Sequence, residues 1–153
     1  MNPGKEFESR FHKSLDNLSG CYVERVHDNG GKPTRKTLCG DFRVSMPDNT
    51  NVAIECKSVG YGRIPFREKG KKGSGIHDEQ LAELVRFERT NDNNKSLLAL
   101  HWKISDSCIL VNMDAICAYR KGSGYRSISE EDAAKIGWRQ KPDGRGWKLR
   151  LNG

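Results

Sequence analysis

Asp41, Glu55 and Lys57 are the residues of this chain whose types and spacing could carry out chemistry together. Paired carboxylates supply the hard oxygen ligands that Mg²⁺ prefers, and bound Mg²⁺ keeps several waters and can also hold a substrate phosphate. A metal held there could activate a water and stabilise charge on the phosphate, while the lysine orients that water or neutralises the phosphate. The set therefore indicates metal-dependent phosphodiester hydrolysis.

The segments around these residues predict an antiparallel hairpin. Residues 52–57 are short, apolar and β-prone, so Glu55 and Lys57 share one face of a strand. Residues 41–46 alternate between apolar and polar, and turn residues fill 47–51. Folding about this turn places Asp41 opposite Glu55 and Lys57, so both carboxylates and the ammonium meet on one sheet surface. The plain alternative is a surface hairpin with an ordinary ion pair.

The elements that must position this hairpin follow from the hydrophobic pattern of the remaining chain. A helix over the first turns is indicated by an apolar stripe, and a second helix begins at Asp78. The order helix, three strands, helix, two strands predicts an α/β fold with a central mixed sheet flanked by helices. We expect one domain, 1–153, with a core over about 2–120 and a basic C-terminal extension over about 121–153. The stripe is Phe7, Phe11, Leu15 and Leu18; the other predicted strands are 21–26, 97–102 and 108–111, and a short helix runs from Ser129 to near Gly137.

The charge balance favours a polyanionic partner. The chain has 153 residues, with 27 Lys and Arg against 20 Asp and Glu, a net charge of +7. Residues 58–76 are rich in glycine and basic residues, which we interpret as a mobile basic loop that contacts DNA, with a solubility tract as the alternative. Its Tyr61 and Phe66 could stack on unpaired bases, or one of them could pack against the core. The predicted DNA-binding residues are Lys32, Arg35, Lys36, Arg63, Arg67, Lys69, Lys71 and Lys72.

The remaining composition excludes several other classes of protein. No apolar run reaches about 18 residues, so no membrane span is expected. The N-terminus lacks the apolar core of a signal peptide. The 5 cysteines are widely spread and form no Cys-x-x-Cys, which argues against zinc and for buried, reduced thiols in the cytoplasm of a bacterium or of a phage-infected host.

An ordered set of motifs resembles the PD-(D/E)XK nuclease superfamily and, within it, the RecU-type Holliday junction resolvases. The first helix opens Gly-x-x-x-Glu, the hairpin carries the aspartate and Glu-x-Lys, and a loop, a Phe-Pro-like segment and a helix opening His-x-x-Gln follow. The corresponding residues are Gly4 and Glu8, Asp41, Glu55 and Lys57, Ile64-Pro65-Phe66, and His77 and Gln80. The resemblance covers roughly residues 2–120.

The resemblance implies a role for each matching residue. Asp41 and Glu55 are implied as the central metal ligands, with the backbone carbonyl of Cys56 as a further oxygen and Lys57 as the catalytic lysine. Glu8 and Gln80 complete the implied site. The implied cofactor is Mg²⁺, with Mn²⁺ as a substitute, and the implied assembly is a homodimer that cuts two strands of a four-way DNA junction. Ile116–Tyr119 and Trp138 are candidates for its interface.

Several departures and alternatives stay open on the sequence alone. RecU-type proteins carry a longer stalk-like insertion before the aspartate, where this chain has only residues 29–37, so smaller phage-type or archaeal-type resolvases of the same superfamily also fit its size. Glu8 competes with Glu6 and could be an exposed helix residue, Gln80 could be a polar first-turn residue, and His77 is expected to be a cap or loop residue. Another nuclease of the superfamily, restriction-type or repair-type, and a non-catalytic basic nucleic-acid-binding module are the competing functions.

Overall fold

The computed structural model describes residues 3–26 and 40–153, and a six-stranded sheet lies at its centre. The predicted hairpin forms its second and third strands. In chain order the elements are α1 (Pro3–Asp16), β1 (Tyr22–Arg25), β2 (Phe42–Ser45), β3 (Asn51–Val59), β4 (Arg63–Arg67), β5 (Ile76–His77), α2 (Asp78–Thr90), β6 (Asn94–Trp102), β7 (Ser107–Asn112), α3 (Met113–Ser123), β8 (Ser127–Ser129), α4 (Glu130–Ile136), β9 (Trp138–Arg139), β10 (Lys141–Asp143) and β11 (Gly146–Lys148).

The central sheet is mixed, as the element order predicts. Its strand order is β1-β2-β3-β6-β7-β9. β3 and β6 pair in parallel, whereas the other neighbouring strands are antiparallel. Helix α2 makes the crossover that a parallel pair requires. The prediction of an α/β fold with a central mixed sheet flanked by helices is thus confirmed.

Each face of the sheet is covered by its own apolar layer. On one face α1 packs through Phe7, Phe11 and Leu15, which are fully buried. On the other face α2, α3 and α4 contribute a second cluster. The segment after residue 120, expected as a basic extension, supplies β8 to β11 and buries three apolar side chains against α1's layer: Trp147, Leu149 and Leu151.

The basic segment that we predicted as a mobile loop is in part a strand. Residues 63–67 form β4, which pairs with β5 and β8 in a separate three-stranded sheet. Ile64 and Phe66 are buried, while Arg63 is exposed and Arg67 is half-buried. This alternation is the reason for the difference, because it gives the segment one apolar face that pays for ordering. Residues 68–75, between β4 and β5, form no strand.

The structure bears on three smaller expectations. Cys21, Cys56, Cys108 and Cys117 are free thiols, and two of them are buried, while Cys39 lies outside the described residues. Ile116, one of the candidates for the dimer interface, is fully buried and so cannot contact a partner from the surface. No helix among the described residues is long and apolar enough to cross a membrane.

Candidate active site

The β2–β3 hairpin brings Asp41 beside Glu55. Phe42 pairs with Ile54, and the Asp41 backbone N–H donates to the Ile54 carbonyl at 2.7 Å, so the pairing extends to the aspartate. Gly40, just before it, has a φ of 79°, and a Cβ there would lie 2.9 Å from the Ile54 carbonyl oxygen. Only glycine tolerates this conformation and close approach without strain.

Four polar side chains meet on the face of β3 that looks toward α2. Asp41 Oδ2 accepts from the Cys56 backbone N–H at 2.8 Å, which fixes its carboxylate against the strand. Gln80 Nε2 donates to Glu55 Oε1 at 2.7 Å, and Lys57 Nζ lies 3.5 Å from that same oxygen. Glu55 is 6% exposed, and glutamate side chains are rarely buried to this degree unless they are paired.

The surroundings of both carboxylates disfavour their charged forms. Burial raises the pKa of Asp41, and the neighbouring Glu55 carboxylate raises it further, although the Cys56 N–H acts in the opposite direction. Burial also raises the pKa of Glu55, against the favourable charge of Lys57. Paired, desolvated carboxylates of this kind are characteristic of sites that bind cations or do acid–base chemistry.

Glu8 approaches the pair from the first helix. Its carboxylate contributes to raising the pKa of both Asp41 and Glu55, which places its charge near theirs. Its Oε2 also lies 3.6 Å from Arg25 Nη2 on β1. Sequence reasoning missed Arg25; the alternation of β1 is the only local signal for it, since the ion pair joins distant segments of the chain.

The N-terminus of α2 holds Gln80 in place. His77 precedes the helix with extended backbone angles, and its N–H donates to Gln80 Oε1 at 3.2 Å. The amide of Gln80 thus bridges the helix cap and Glu55, with its oxygen used at the cap and its nitrogen at the carboxylate. His77 is a cap residue, as expected, and its Nε2 lies 2.7 Å from the Gly73 carbonyl oxygen.

The donor set fits a magnesium ion better than a metal held wholly by protein side chains. Among the described residues no three His, Cys, Asp or Glu side chains form a ready metal cluster. Mg²⁺ needs no such cluster, because it binds through one or two carboxylates and retains waters. Asp41 and Glu55 supply these oxygens, and a divalent cation would relieve their mutual repulsion. The Cys56 thiol is buried in the opposite layer, so only the carbonyl of that residue remains as a candidate ligand.

A hydrogen-bonded chain that centres on the buried His101 supports β3 from the opposite face. His101 is 3% exposed and lies 2.8 Å from both Ser58 Oγ and Asp106 Oδ1. Asp106 in turn accepts two hydrogen bonds from the Arg10 guanidinium, each of 2.8 Å. The chain ties α1 to the β6–β7 turn and to the residue after Lys57.

The predicted DNA-binding residues fall into three groups. Arg63 is held locally, because its Nε donates to Ser127 Oγ at 2.7 Å, and Arg67 Nε donates to the Ser74 carbonyl at 3.0 Å. Three lysines are exposed and pair with no carboxylate in the described part of the chain: Lys69, Lys71 and Lys72. Three others, Lys32, Arg35 and Lys36, lie outside the described residues.

Comparison with known proteins identifies the fold. No family model matches the chain, and no curated protein matches its sequence. The chain is similar to the 1.6 Å structure of Hjc from Archaeoglobus fulgidus, a Holliday junction resolvase from an archaeal hyperthermophile. The TM-score is 0.60 at 18% sequence identity, over 88% of this chain and 93% of that chain. This chain therefore shares its α/β fold with Hjc.

Proposed function

We propose that this protein is a metal-dependent DNA endonuclease that resolves four-way junctions by paired phosphodiester hydrolysis. The observation that carries the proposal is the meeting of Asp41, Glu55 and Lys57 on one face of β3, with Gln80 2.7 Å from Glu55. The likeness in fold to a junction resolvase supports it. The finer resemblance to RecU-type proteins rests on the motif pattern alone, and Hjc, to which the chain is similar in fold, is from an archaeon.

The residues of the site take distinct roles in this proposal. Asp41 and Glu55 hold the cation, with the Cys56 carbonyl and Glu8 as further oxygen donors. The chemistry that a bound Mg²⁺ supplies is activation of water and stabilisation of charge on the phosphate. Gln80 orients the Glu55 carboxylate through a hydrogen bond of 2.7 Å. Lys57, whose ammonium lies 3.5 Å from Glu55, faces the same space and would steady the attacking water or the scissile phosphate.

The basic segment beside the site supplies the affinity for DNA. Lys69, Lys71 and Lys72 follow β4, and their exposed ammonium groups are free to bind phosphates. Such contacts release counterions, so binding weakens as salt rises. Substituting these lysines by Ala should weaken binding to DNA of any sequence and flatten its salt dependence.

One assay separates a nuclease from a binding module without catalysis. We expect the wild-type protein to nick supercoiled plasmid in Mg²⁺ and to leave it intact in EDTA. A basic binding module gains nothing from buried carboxylates on its binding face, because they repel phosphate unless a cation bridges them. Plasmid that stays intact in Mg²⁺ and in Mn²⁺, with DNA binding retained, would refute the catalytic proposal. Comparing a four-way junction with linear duplex then separates a resolvase from another nuclease of the superfamily.

A further inference from the structure

A basic surface adjoins the segment that follows β4 and shares Lys71 and Lys72 with it. It is a groove of about 660 Å³ between β4 and the turn that joins α3 to β8. We call it the Arg126 groove. Its side chains include five basic residues and one acidic residue, Glu68; the basic ones are Arg67, Lys71, Lys72, Arg120 and Arg126.

The positive charge of the Arg126 groove is mostly uncompensated. Arg120 pairs with Asp78 across to α2. In the part of the chain that the structure describes, the side chains of Lys71, Lys72 and Arg126 pair with no carboxylate. Cations that are left unpaired along a groove favour a ligand that carries repeated negative charge, such as a phosphodiester backbone.

An aromatic side chain stands at the rim of the same groove. Tyr125 is 54% exposed although it is large and apolar. The Arg63 guanidinium lies 5.3 Å from the centre of its ring, and the Tyr119 ring meets it edge-on at 6.1 Å. Tyr119 is itself fixed, since its hydroxyl donates to Asp132 at 2.7 Å. Tyr125 is thus an exposed ring that packs against two positioned side chains, Arg63 and Tyr119.

Contacts within the chain join the walls of the groove. The Phe66 N–H donates to the Arg126 carbonyl at 2.8 Å, and Pro65 pairs with Ser127, so β4 and β8 hold the two walls together. Arg120 lies over the buried Phe66 ring at 5.2 Å. Through Asp78, two residues before Gln80, the groove adjoins the helix terminus that serves the catalytic site.

We propose that the Arg126 groove binds an unpaired DNA strand as it leaves the active site, with phosphates at Lys71, Lys72 and Arg126 and a base stacked on Tyr125. Unpaired strands are recognised by this combination of a basic groove and an exposed aromatic ring, whereas the bases of intact duplex are stacked and out of reach. The inference rests on the proposed nuclease function, because that function brings DNA to the neighbouring site.

The test measures affinity in EDTA, so that cleavage does not enter. Two fluorescent DNA probes share one duplex: one is blunt, and the other carries a single-stranded flap. Tyr125→Ala should weaken binding of the flapped probe by about five- to a hundredfold, the range for losing one stacked base, and leave the blunt probe unchanged. Tyr125→Phe keeps the ring and should restore the affinity. Tyr22→Ala, at a similarly exposed tyrosine on β1, is the matched control.

A charge variant tests the phosphate contacts independently. The triple substitution of Lys71, Lys72 and Arg126 by Ala should reduce the slope of log K against log salt for the flapped probe by about 2, the value for three contacts to a single strand. The control triple removes the same charge from Lys141, Lys148 and Arg150, which are exposed on the part of the chain that packs with α1. Circular dichroism of each variant checks folding.

The outcomes separate the groove from the nuclease proposal. If the wild-type protein cuts junctions and both groove variants bind the flapped probe as tightly as the wild type, only the groove proposal is overturned. If both groove variants lose flap binding and the wild-type protein cuts no DNA, the groove proposal is supported and the nuclease proposal is overturned. The assignment to an unpaired strand is overturned if Tyr125→Ala weakens binding of the flapped and blunt probes equally. It is also overturned if the control triple weakens flap binding as much as the groove triple does.

Discussion

Asp41 and Glu55 lie where burial disfavours the charge of each, and Asp41 is further disfavoured by the charge of its neighbour. An ordinary surface ion pair has neither property, because water stabilises both of its partners. Lys57 compensates Glu55 only in part, at a distance of 3.5 Å. The two carboxylates therefore form a pair whose charged forms a bound cation would stabilise.

Replacing either carboxylate by its amide tests this role. Asp41→Asn and Glu55→Gln should each lower DNA cleavage by at least about a hundredfold, the usual cost of losing a preorganised charge in an active site. DNA affinity should change little, because it rests on phosphate contacts of Lys and Arg. Calorimetry should show weaker Mn²⁺ binding in both variants, with Glu83→Gln, on the exposed side of α2, as the control. Unchanged Mn²⁺ binding in both would exclude them as ligands.

Lys57 should act in chemistry more than in binding. Its side chain is only 16% exposed and faces Glu55, so it is poorly placed to attract DNA from solution. We expect Lys57→Ala to slow single-turnover cleavage by about a hundredfold or more, with little loss of junction affinity. The exposed Lys95 of β6 provides the matched Lys→Ala control. A large loss of affinity with the single-turnover rate preserved would assign Lys57 to binding instead.

At the scale of elements, the hairpin positions Asp41 through the backbone of Gly40. A Cβ at Gly40 would press on the Ile54 carbonyl from a left-handed conformation. Gly40→Ala should therefore lower the free energy of unfolding by more than about 1 kcal/mol and displace the aspartate. The control is Gly122→Ala in α3, where a Cβ meets nothing within 4 Å and where stability should rise by up to about 1 kcal/mol. Urea unfolding measures both, and an equal effect at the two sites would contradict this role of Gly40.

A second element-scale prediction concerns the link between α1 and the β6–β7 turn. The Arg10 guanidinium holds the pKa of Asp106 to about 2, below the value of about 3.9 in an unfolded chain. The charged form is thus favoured by folding, so this stabilisation is present above about pH 4 and is lost as the pH falls toward 2.

Asp106→Asn should remove that pH dependence. Asn suits the positive φ of 51° at this position, so the backbone should not change. Because Asp106 is more than half exposed, the effect should be on the order of 1 kcal/mol or less. Urea unfolding at pH 6 and at pH 2.5 measures it. If the loss of stability between the two pH values is as large in the variant as in the wild type, the pair with Arg10 does not provide it.

The elements that were predicted correctly carry a strong local pattern, and those that were missed do not. Alternation and turn residues predict β2 and β3, and the apolar stripe predicts α1. The sequence does not predict β4, because glycines and lysines surround it and because Pro65 interrupts the strand pattern. α3 was missed because it begins directly after β7 with no turn between them.

The residues of the site likewise divide into those that a local sequence pattern predicts and those that it does not. Glu55 and Lys57 lie on one strand, and Asp41 is a hairpin away, so local periodicity suffices to bring them together. Arg25 and the chain from Ser58 to Arg10 join residues far apart in sequence, so no local pattern marks them. Trp147 is one apolar residue in a basic tail, and only the packing of β11 on α1 shows that it is core.

At the scale of the whole molecule, resolution of a junction asks for two coordinated cuts. A four-way junction has two-fold symmetry, and one site of this kind makes one nick. A homodimer with two-fold symmetry supplies two such sites directly. We therefore predict a dimer by light scattering at assay concentration; a monomer in the presence of junction DNA would favour a simpler nicking nuclease.

The most direct test of the central claim is to map the nicks that wild-type protein makes in a four-way junction. Each strand is labelled in turn, and single-turnover cleavage in Mg²⁺ is compared with cleavage of linear duplex of the same sequence. We predict paired nicks at symmetric positions in two strands of like polarity, no cleavage in EDTA, and much slower cutting of the duplex. Equal cutting of junction and duplex, or no cutting of either in Mg²⁺ and Mn²⁺, would contradict the proposed function.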